Sequence, residues 1–414
     1  HSWNRKNRKY LTLFLTKNNG AENLEKRNYF QPIALCLVSV IGLQILKKYL
    51  DHRLPGSLLF HHYLLTGIQL LVLVGTIIHL LFPNRGFLFK TLVILVLLGL
   101  PELLFTWWIQ HPASIPPAAR SLLNTYSTQA ETNIIQFMPQ SSVYSDRLFY
   151  TLKPSARFRF RNPEFSDSFF TNRMGLRDDD NSLLHPAVIC LGDSYAMGWG
   201  VAQAESFPEQ LERMLQKNVL NAAVSSYGTV RELANLYRLD TSALETIIIQ
   251  YCRNDYRENR EYAEHDHRLT ISSRNVYDSL QNDHYWSTRW FPGKRAVTIA
   301  KLYMEQKTND WFFPNRATWK DSARWHLQKA AEYFTDILYR SAIHFNKVKV
   351  LVVDMNEQQT MNNDFIEAVN TLIRQPRYAA RFANHLITVP VADLLTANDY
   401  YILDPHIRAS GHRK

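Results

Sequence analysis

The chain has 414 residues, 46% of them hydrophobic and 20% charged, enough for one large domain or two smaller ones. Its three cysteines, Cys36, Cys190 and Cys252, are too few for a disulfide framework and read as buried thiols. No zinc-ligand spacing, phosphate loop or internal repeat is present. The net charge of +10 invites a nucleic-acid reading, but the densest basic cluster stands just before a membrane-like segment, so no nucleic-acid partner is expected.

Residues 1–28 read as a basic tail carrying Arg5, Lys6, Arg8, Lys9, Lys17, Lys26 and Arg27. The chain opens on His1 rather than Met, and an earlier start is expected. Three apolar stretches follow: Tyr29 to Leu46, His62 to Phe82 and Phe87 to Ile109. Each is near the ~20 residues that an α-helix needs to cross a ~30 Å hydrocarbon core. Residues 29–110 therefore read as a three-span transmembrane anchor, with connections at Lys47 to Phe60 and Pro83 to Gly86. The basic excess ahead of the first span predicts a cytoplasmic N-terminus. An odd number of spans then puts the main domain outside the cytoplasm, periplasmic or extracellular. Trp107 and Trp108 stand where an aromatic belt meets the outer interface. Glu102, His79 and Lys90 are polar groups in or near the spans and receive no role. Lys47-Lys48, in place of a small-residue cleavage pattern, argues against a cleaved signal peptide.

Residues 111–145 are rich in Pro, Ser, Thr and Gln and read as a linker. In residues 146–185, Phe158 to Arg161 and Phe165 to Thr171 flank Asn162-Pro163, which predicts a hairpin and hence a small β appendage. From residue 186 to 414, strand and helix patterns alternate. Strands are expected at Ala187 to Leu191, Asn218 to Ala223, Glu245 to Tyr251, Val348 to Asp354 and Leu386 to Pro390. Helical patterns lie at Glu205 to Lys217, Val230 to Leu239, Trp319 to Ala342 and Asp364 to Arg374. That alternation predicts an α/β fold, a parallel sheet covered by helices on both faces.

The first of these strands stops at Gly192-Asp193, and Ser194 follows ahead of a helix. In an open parallel sheet such a turn lies at the carboxyl ends of the strands, where ligands bind. A helix N-terminus there favours developing negative charge. Ser194 is the candidate nucleophile; alternatively, Asp193 and Ser194 only cap the helix. His406 is the candidate base. Asp404, two residues earlier in a segment expected to be extended, falls on the same face and is the candidate to hold its ring. Candidate oxyanion donors are the backbone N–H groups of Ser194 and Ser226 and the side-chain amide of Asn254. Each has a plainer reading: turn or cap chemistry for Asn254-Asp255 and Asp404-Pro405, a surface histidine for His406, strand closure for Asn221.

Taken together, Gly192-Asp193-Ser194, Asn221 ahead of Ser226-Tyr227-Gly228, Asn254-Asp255, and Asp404 with His406 and Gly411-His412 resemble the SGNH (GDSL-type) hydrolase family, from Pro186 to the end. The stretch from Tyr150 to Pro154 and through Thr171 to Arg177 is similar to the segment preceding this domain in some membrane-attached members. The resemblance implies a flavodoxin-like parallel sheet covered by helices (the SGNH hydrolase fold), which in this chain follows the three transmembrane helices and small β appendage read above. It places the nucleophile at Ser194, the base at His406, the aspartate at Asp404 and the third oxyanion donor at Asn254. No cofactor or metal is expected. Three positions depart from the family pattern. Ser226 stands where its second block has glycine, Cys252 stands where its third block has glycine, and the Asp404-x-His406 spacing is one residue shorter than the commonest form.

Residues 256–316 form an aromatic-rich insertion with Tyr262, Tyr277, Tyr285, Trp286, Trp290, Phe291, Trp311, Phe312 and Phe313. It is expected to lie over the pocket as binding loops for sugar rings or anionic groups, or to be a surface for a partner protein. His265 and His267, without further ligands, do not make a metal site. The expected function is a membrane-anchored extracytoplasmic serine esterase or O-acyltransferase acting on an acylated cell-surface glycan. One alternative is a non-catalytic scaffold subunit with membrane protein partners; the other is a lipase or phospholipase with a lipid substrate. The lipid bilayer is a partner in all three.

Overall fold

The computed structural model describes residues 30–53, 58–130, 134–289, 293–312, 319–382 and 384–414, in two compact units, 1–102 and 103–414. The basic tail 1–28, the Pro55 connection, and Trp290, Phe291 and Phe313 of the insertion lie outside the described residues.

Helices α1 (Phe30–Arg53), α2 (Leu58–Leu81) and α3 (Phe87–Gln110) open the chain. Each holds a stretch long and apolar enough to cross a membrane: Phe30–Leu50, Leu64–Leu81 and Phe87–Gln110. Large apolar side chains such as Leu35, Leu88 and Leu95 stay more than 60% exposed, as they do on a helix whose outer face meets lipid rather than water. Helix α1 runs on through Lys47 to Arg53, which the sequence pattern assigns to a connection, because no Pro or Gly falls between Lys47 and Arg53. Polar contacts tie α1 to α2. Gln69 Nε2 donates to Val40 O at 3.1 Å and Gln44 Oε1 at 3.2 Å, and Lys47 Nζ donates to Thr66 Oγ1 at 3.1 Å.

In the second unit, the segment expected as a linker contains a packed helix, α4 (Pro117–Ala130). Pro117 stands at its first turn, where a missing N–H costs nothing. Ala119, Leu122, Leu123 and Tyr126 recur at helical spacing and pack with Ile109, Ile115, Ile299 and Leu403. A Ser/Thr-rich composition concealed that stripe. Strands β1 (Ser142–Ser145) and β2 (Phe149–Leu152) form one antiparallel pair, which the sequence pattern did not predict. Strands β3 (Arg157–Arg161) and β4 (Ser166–Phe170) form the expected hairpin. In β3 the alternation is plain: Phe158 and Phe160 are buried, and Arg157, Arg159 and Arg161 face out.

The main sheet has five parallel strands in the order β6-β5-β7-β8-β9. They are β5 (Val188–Leu191), β6 (Val219–Asn221), β7 (Thr246–Tyr251), β8 (Lys349–Asp354) and β9 (Leu386–Val389). This is the flavodoxin-like order, with its switch point between β5 and β7, so the fold is α/β with a parallel sheet, as expected. Alternate residues serve opposite faces. Ile189, Leu191, Ile249 and Val352 join Phe334 and Phe365 on one side, and Val188, Cys190 and Ile248 join Phe207 and Leu211 on the other. Among the described residues, the helices after β5 are α5 (Ser194–Met197), α6 (Phe207–Leu215), α7 (Thr229–Leu236), α8 (Asp255–Glu264), α9 (Arg274–Ser287), α10 (Lys294–Phe312), α11 (Trp319–Arg340), α12 (Asp364–Ile373), α13 (Pro376–Phe382) and α14 (Ala409–His412). Over its described residues the aromatic-rich insertion is largely helical, α8 to α10. Tyr277 is buried among Phe137, Tyr144 and Phe149, with ring centroids 5.8–6.0 Å apart. Tyr277 thus serves packing, whereas Tyr285 stays exposed.

Candidate active site

Strand β5 ends in a turn whose shape demands glycine. Gly192 has φ +150°, and a Cβ on it would stand 2.6 Å from Gln250 Oε1 and 2.8 Å from Ala196 Cβ. Gln250, on β7, accepts the backbone N–H groups of Asp193 and Ala196 at 3.1 Å each, so the neighbouring strand pins both sides of Ser194. Asp193 caps α5 by accepting Tyr195 N–H at 3.0 Å. Its other oxygen accepts Asn254 Nδ2 at 2.8 Å. Burial pushes the Asp193 carboxyl up; Tyr195 N–H, Asn254 and His406 pull against it. The capping reading of this turn therefore holds for Asp193, and Ser194 is left to face the cleft.

Ser194, His406 and Asp404 meet in one line. His406 Nε2 lies 2.8 Å from Ser194 Oγ, and His406 Nδ1 lies 2.6 Å from Asp404 Oδ1. A carboxylate can only accept, so Nδ1 carries the proton and Nε2 is the acceptor for the serine hydroxyl. The pairing is not reached through an extended segment. Residues 402–404 bend, and the His406 backbone N–H donates back to Asp404 Oδ1 at 3.0 Å, which folds both side chains to one side. Burial alone would raise the Asp404 pKa. The His406 charge and hydrogen bonds from His406 and Trp199 outweigh it and hold the carboxyl below its ordinary value.

The other expected residues come to the same place. Asn254, Ser226 and Ser194 all line one cleft of ≈ 850 Å³, with His406 and Asp404. Among the described residues, the backbone N–H groups of Ser194 and Ser226 have no acceptor. Asn254 Nδ2 gives one hydrogen to Asp193, which fixes the amide plane and leaves its second hydrogen for a ligand. Ser226 has φ +59°, the left-handed region that glycine prefers. Its hydroxyl is drawn aside by Gln136 Nε2 at 3.1 Å. Cys252 is buried and its thiol lies 3.4 Å from Asn356 Oδ1, so neither the Ser226 nor the Cys252 side chain projects unheld. Asn221 lies beneath the turn, its Nδ2 3.4 Å from Ala196 O. His412 lies outside the cleft, buried, accepting Phe207 N–H at 3.3 Å.

Several site residues were not legible in the sequence, and some belong to the β appendage. Asn162 accepts the N–H groups of Glu164 and Phe165 at 2.8 and 2.9 Å, closing the turn between β3 and β4. Its amide donates to Asp404 Oδ2 at 3.3 Å, beside Trp199 Nε1 at 3.2 Å. Trp199 is wedged against Phe160 and Phe165 of the appendage, with ring centroids 5.0 and 5.7 Å apart. Arg177, fully buried over the Phe169 ring, donates to the carbonyls of Met197 at 3.1 Å and Val201 at 2.7 Å, and also to that of Gly198. The hairpin signal Asn162-Pro163 marked the turn, but nothing local marked its distant partners. Gln136 likewise reaches the cleft from a short turn ahead of β1 that carries no motif.

Among solved structures, the chain is similar to TesA at 13% identity, covering 55% of this chain and 91% of TesA with a TM-score of 0.27. It is also similar to phospholipase A1 from Streptomyces albidoflavus NA297 at 12% identity, covering 55% of this chain and 95% of that protein with a TM-score of 0.25. No protein-family model matches the sequence, and no curated protein matches it.

Proposed function

We propose that this chain is a serine esterase or O-acyltransferase of the SGNH kind, held at a membrane by α1 to α3, with its catalytic domain outside the cytoplasm. One observation carries the reading: a single imidazole bridges Ser194 Oγ at 2.8 Å and Asp404 Oδ1 at 2.6 Å at the wall of an open cleft. That is the arrangement in which a serine becomes a nucleophile.

In the proposed reaction, Ser194 Oγ adds to the ester carbonyl while His406 Nε2 takes its proton. Asp404 keeps the ring oriented and stabilises the imidazolium. The carbonyl oxygen becomes an oxyanion facing the N–H groups of Ser194 and Ser226 and the amide of Asn254. The intermediate collapses, the C–O bond to the alcohol breaks, and His406 returns the proton to the departing oxygen. Water or a sugar hydroxyl then repeats the sequence on the acyl-serine, giving hydrolysis or transfer.

Hydroxyl and amide groups in the cleft support an acylated glycan as substrate. Side chains such as Ser127, Thr128, Gln136 and Asn356 recur along its wall, beside apolar surface from Trp199 and Leu403. The basic residues ahead of α1 support a cytoplasmic N-terminus.

The test is covalent labelling of the purified full chain with a fluorophosphonate probe, together with turnover of para-nitrophenyl acetate. Ser194 should be labelled, and Ser194→Ala and His406→Ala should lose labelling and reduce kcat by ~10⁴-fold or more. Absence of both in wild type, with stoichiometric protein partners co-purifying, would leave a scaffold subunit. Preference for palmitoyl over acetyl esters would turn the assignment towards a lipase.

A further inference from the structure

The last two turns of α3, residues 103–110, belong to the second unit, and two walls of the cleft rest on them. The first wall is the start of α10. Arg295 lines the cleft, and its Nη1 donates to Thr106 Oγ1 at 3.0 Å. The second wall is the loop that carries Asp404 and His406. Leu403 lines the cleft and packs in one apolar cluster with Ile109, with Ile299 of α10 and with Leu123 and Tyr126 of α4. Asn124 of α4 ties that loop down by donating to Leu403 O at 3.2 Å.

For a helix that spans a bilayer, those contacts fall where it leaves the hydrocarbon. Counted from Phe87, about 20 residues of α-helix climb about 30 Å, the thickness of a hydrocarbon core, and reach Trp107. The side chains agree with the count. Leu100 and Leu103 are 59% and 67% exposed, as lipid-facing residues are, whereas Ile109 is only 2% exposed in the cluster with α4 and α10. Between them, Trp107 and Trp108 have the amphipathic rings of an interfacial belt. Thr106 lies in the same turn. The headgroup layer adds only about 5–8 Å on each side of the core, so a cleft wall bonded to Thr106 stands in it or at its edge.

We propose that the cleft opens at the membrane surface and takes an ester carried by a bilayer-anchored amphiphile, whose tails stay in the leaflet while its head reaches Ser194. This rests on the esterase or acyltransferase reading above and names how the substrate of that site is presented. The cleft wall suits such a head. Ser127, Thr128 and Gln136 offer hydrogen bonds, and Trp199 and Leu403 offer apolar surface. Anchoring enzyme and ester in one membrane also raises the effective concentration of the ester. A sugar ester on a lipid-linked glycan and the ester of a glycerolipid itself share this chemistry.

Reach is tested on the full chain in lipid nanodiscs. A fluorophosphonate is joined to phosphatidylethanolamine through a short ethylene linker or a long poly(ethylene glycol) linker, and the same warhead is supplied free in solution. The short-linker reagent should label Ser194 at least tenfold faster than the free warhead at equal bulk concentration, and Ser194→Ala should abolish the label. Labelling by the long linker but not the short one, or no gain from anchoring, would overturn the proposal. Failure of the esterase reading appears separately, as a Ser194 that no reagent labels, the free warhead included.

Depth is read without chemistry at Ser194. A nitrobenzoxadiazole dye is attached at Thr288→Cys on the cleft wall, or at Met214→Cys on α6. Helix α6 ends just before β6 begins, so the exposed Met214 stands at the amino edge of the sheet, away from the cleft. The native cysteines are buried, and wild type taken through the same reaction gives the background. Phosphatidylcholine spin-labelled on its headgroup should quench the Thr288→Cys dye at least twofold more than the Met214→Cys dye. Equal quenching, or none at Thr288→Cys, would overturn the proposal. Acetylated glucosyl dioleoylglycerol in the same discs separates the two sources. Release of acetate assigns the ester to the sugar head, and release of oleate assigns it to the glycerolipid.

Discussion

The Glu164 carboxylate accepts the backbone N–H of Asp404 at 2.9 Å, and with it those of Leu403 at 2.8 Å and Ile402 at 2.7 Å. A side chain in the β3–β4 turn thus holds three consecutive amides of a segment that lies 240 residues later. Burial pushes the Glu164 carboxyl up, and the same three amides oppose it. The β appendage is therefore part of the site: it sets where Asp404 sits, and through Asp404 the angle of the His406 ring.

Glu164→Gln removes one acceptor oxygen and turns an NH₂ group towards backbone N–H donors. The loop should shift, and small displacements of a reacting group cost up to ~10²-fold. The expected outcome is a fall of ~10-fold or more in kcat on para-nitrophenyl acetate with KM within about twofold. An unchanged kcat would mean that Trp199 and Asn162, with Asn124 Nδ2 donating to Leu403 O at 3.2 Å, hold the loop without Glu164.

The two outer oxyanion candidates should respond differently to substitution. Asn254→Ala deletes the donor itself and should reduce kcat by ~10²–10³-fold. Ser226 is proposed to act through its backbone, so Ser226→Gly should keep kcat within a few-fold. Relief of the left-handed φ is worth ~1 kcal/mol, comparable to the hydrogen bond with Gln136 that is lost, so the melting temperature should hardly move. A large loss in Ser226→Gly would place the catalytic contribution in the hydroxyl.

Gly192→Ala meets both an unfavourable backbone and a wall. Its Cβ would press on Gln250 Oε1, the acceptor that holds Asp193 and Ala196. Destabilisation of ~2 kcal/mol or more is expected in chemical denaturation, with loss of esterase activity. A variant of wild-type stability would show that this turn has room to relax.

His412 makes stability depend on pH in a direction that can be worked out. Burial first, then the charges of Arg177 and His406, lowers its pKa to about 3, against an ordinary value of ~6.5 in the unfolded chain. Between those values the unfolded state binds a proton that the native state does not, so stability is lost as pH falls from ~6.5. His412→Gln keeps an acceptor for Phe207 N–H and does not titrate. Its stability in urea, measured at pH 4, 5, 6.5 and 7.5, should fall less steeply by up to one proton, ~1.4 kcal/mol per pH unit. Parallel curves would mean that the native imidazole takes up its proton freely.

The sequence by itself determined those features whose cause is local. Val188 to Leu191 and Thr246 to Tyr251 are unbroken runs of strand formers, and a strand buried on both faces needs nothing more to be read. Three apolar stretches of membrane-crossing length and the turn Gly192-Asp193-Ser194 were visible for the same reason. Helix α4 was not, because its stripe of Leu122, Leu123 and Tyr126 is thin and acquires meaning only once Ile109, Ile299 and Leu403 pack against it. Nor was the bend at Asp404, where a hydrogen bond within the turn replaces the extended geometry that spacing suggested. Only the tertiary structure decided that Glu164, Asn162 and Trp199 converge on Asp404. Hydrogen bonds and charge interactions depend on distance in space, and chain separation carries no record of that distance until the sheet and its appendage have closed around it.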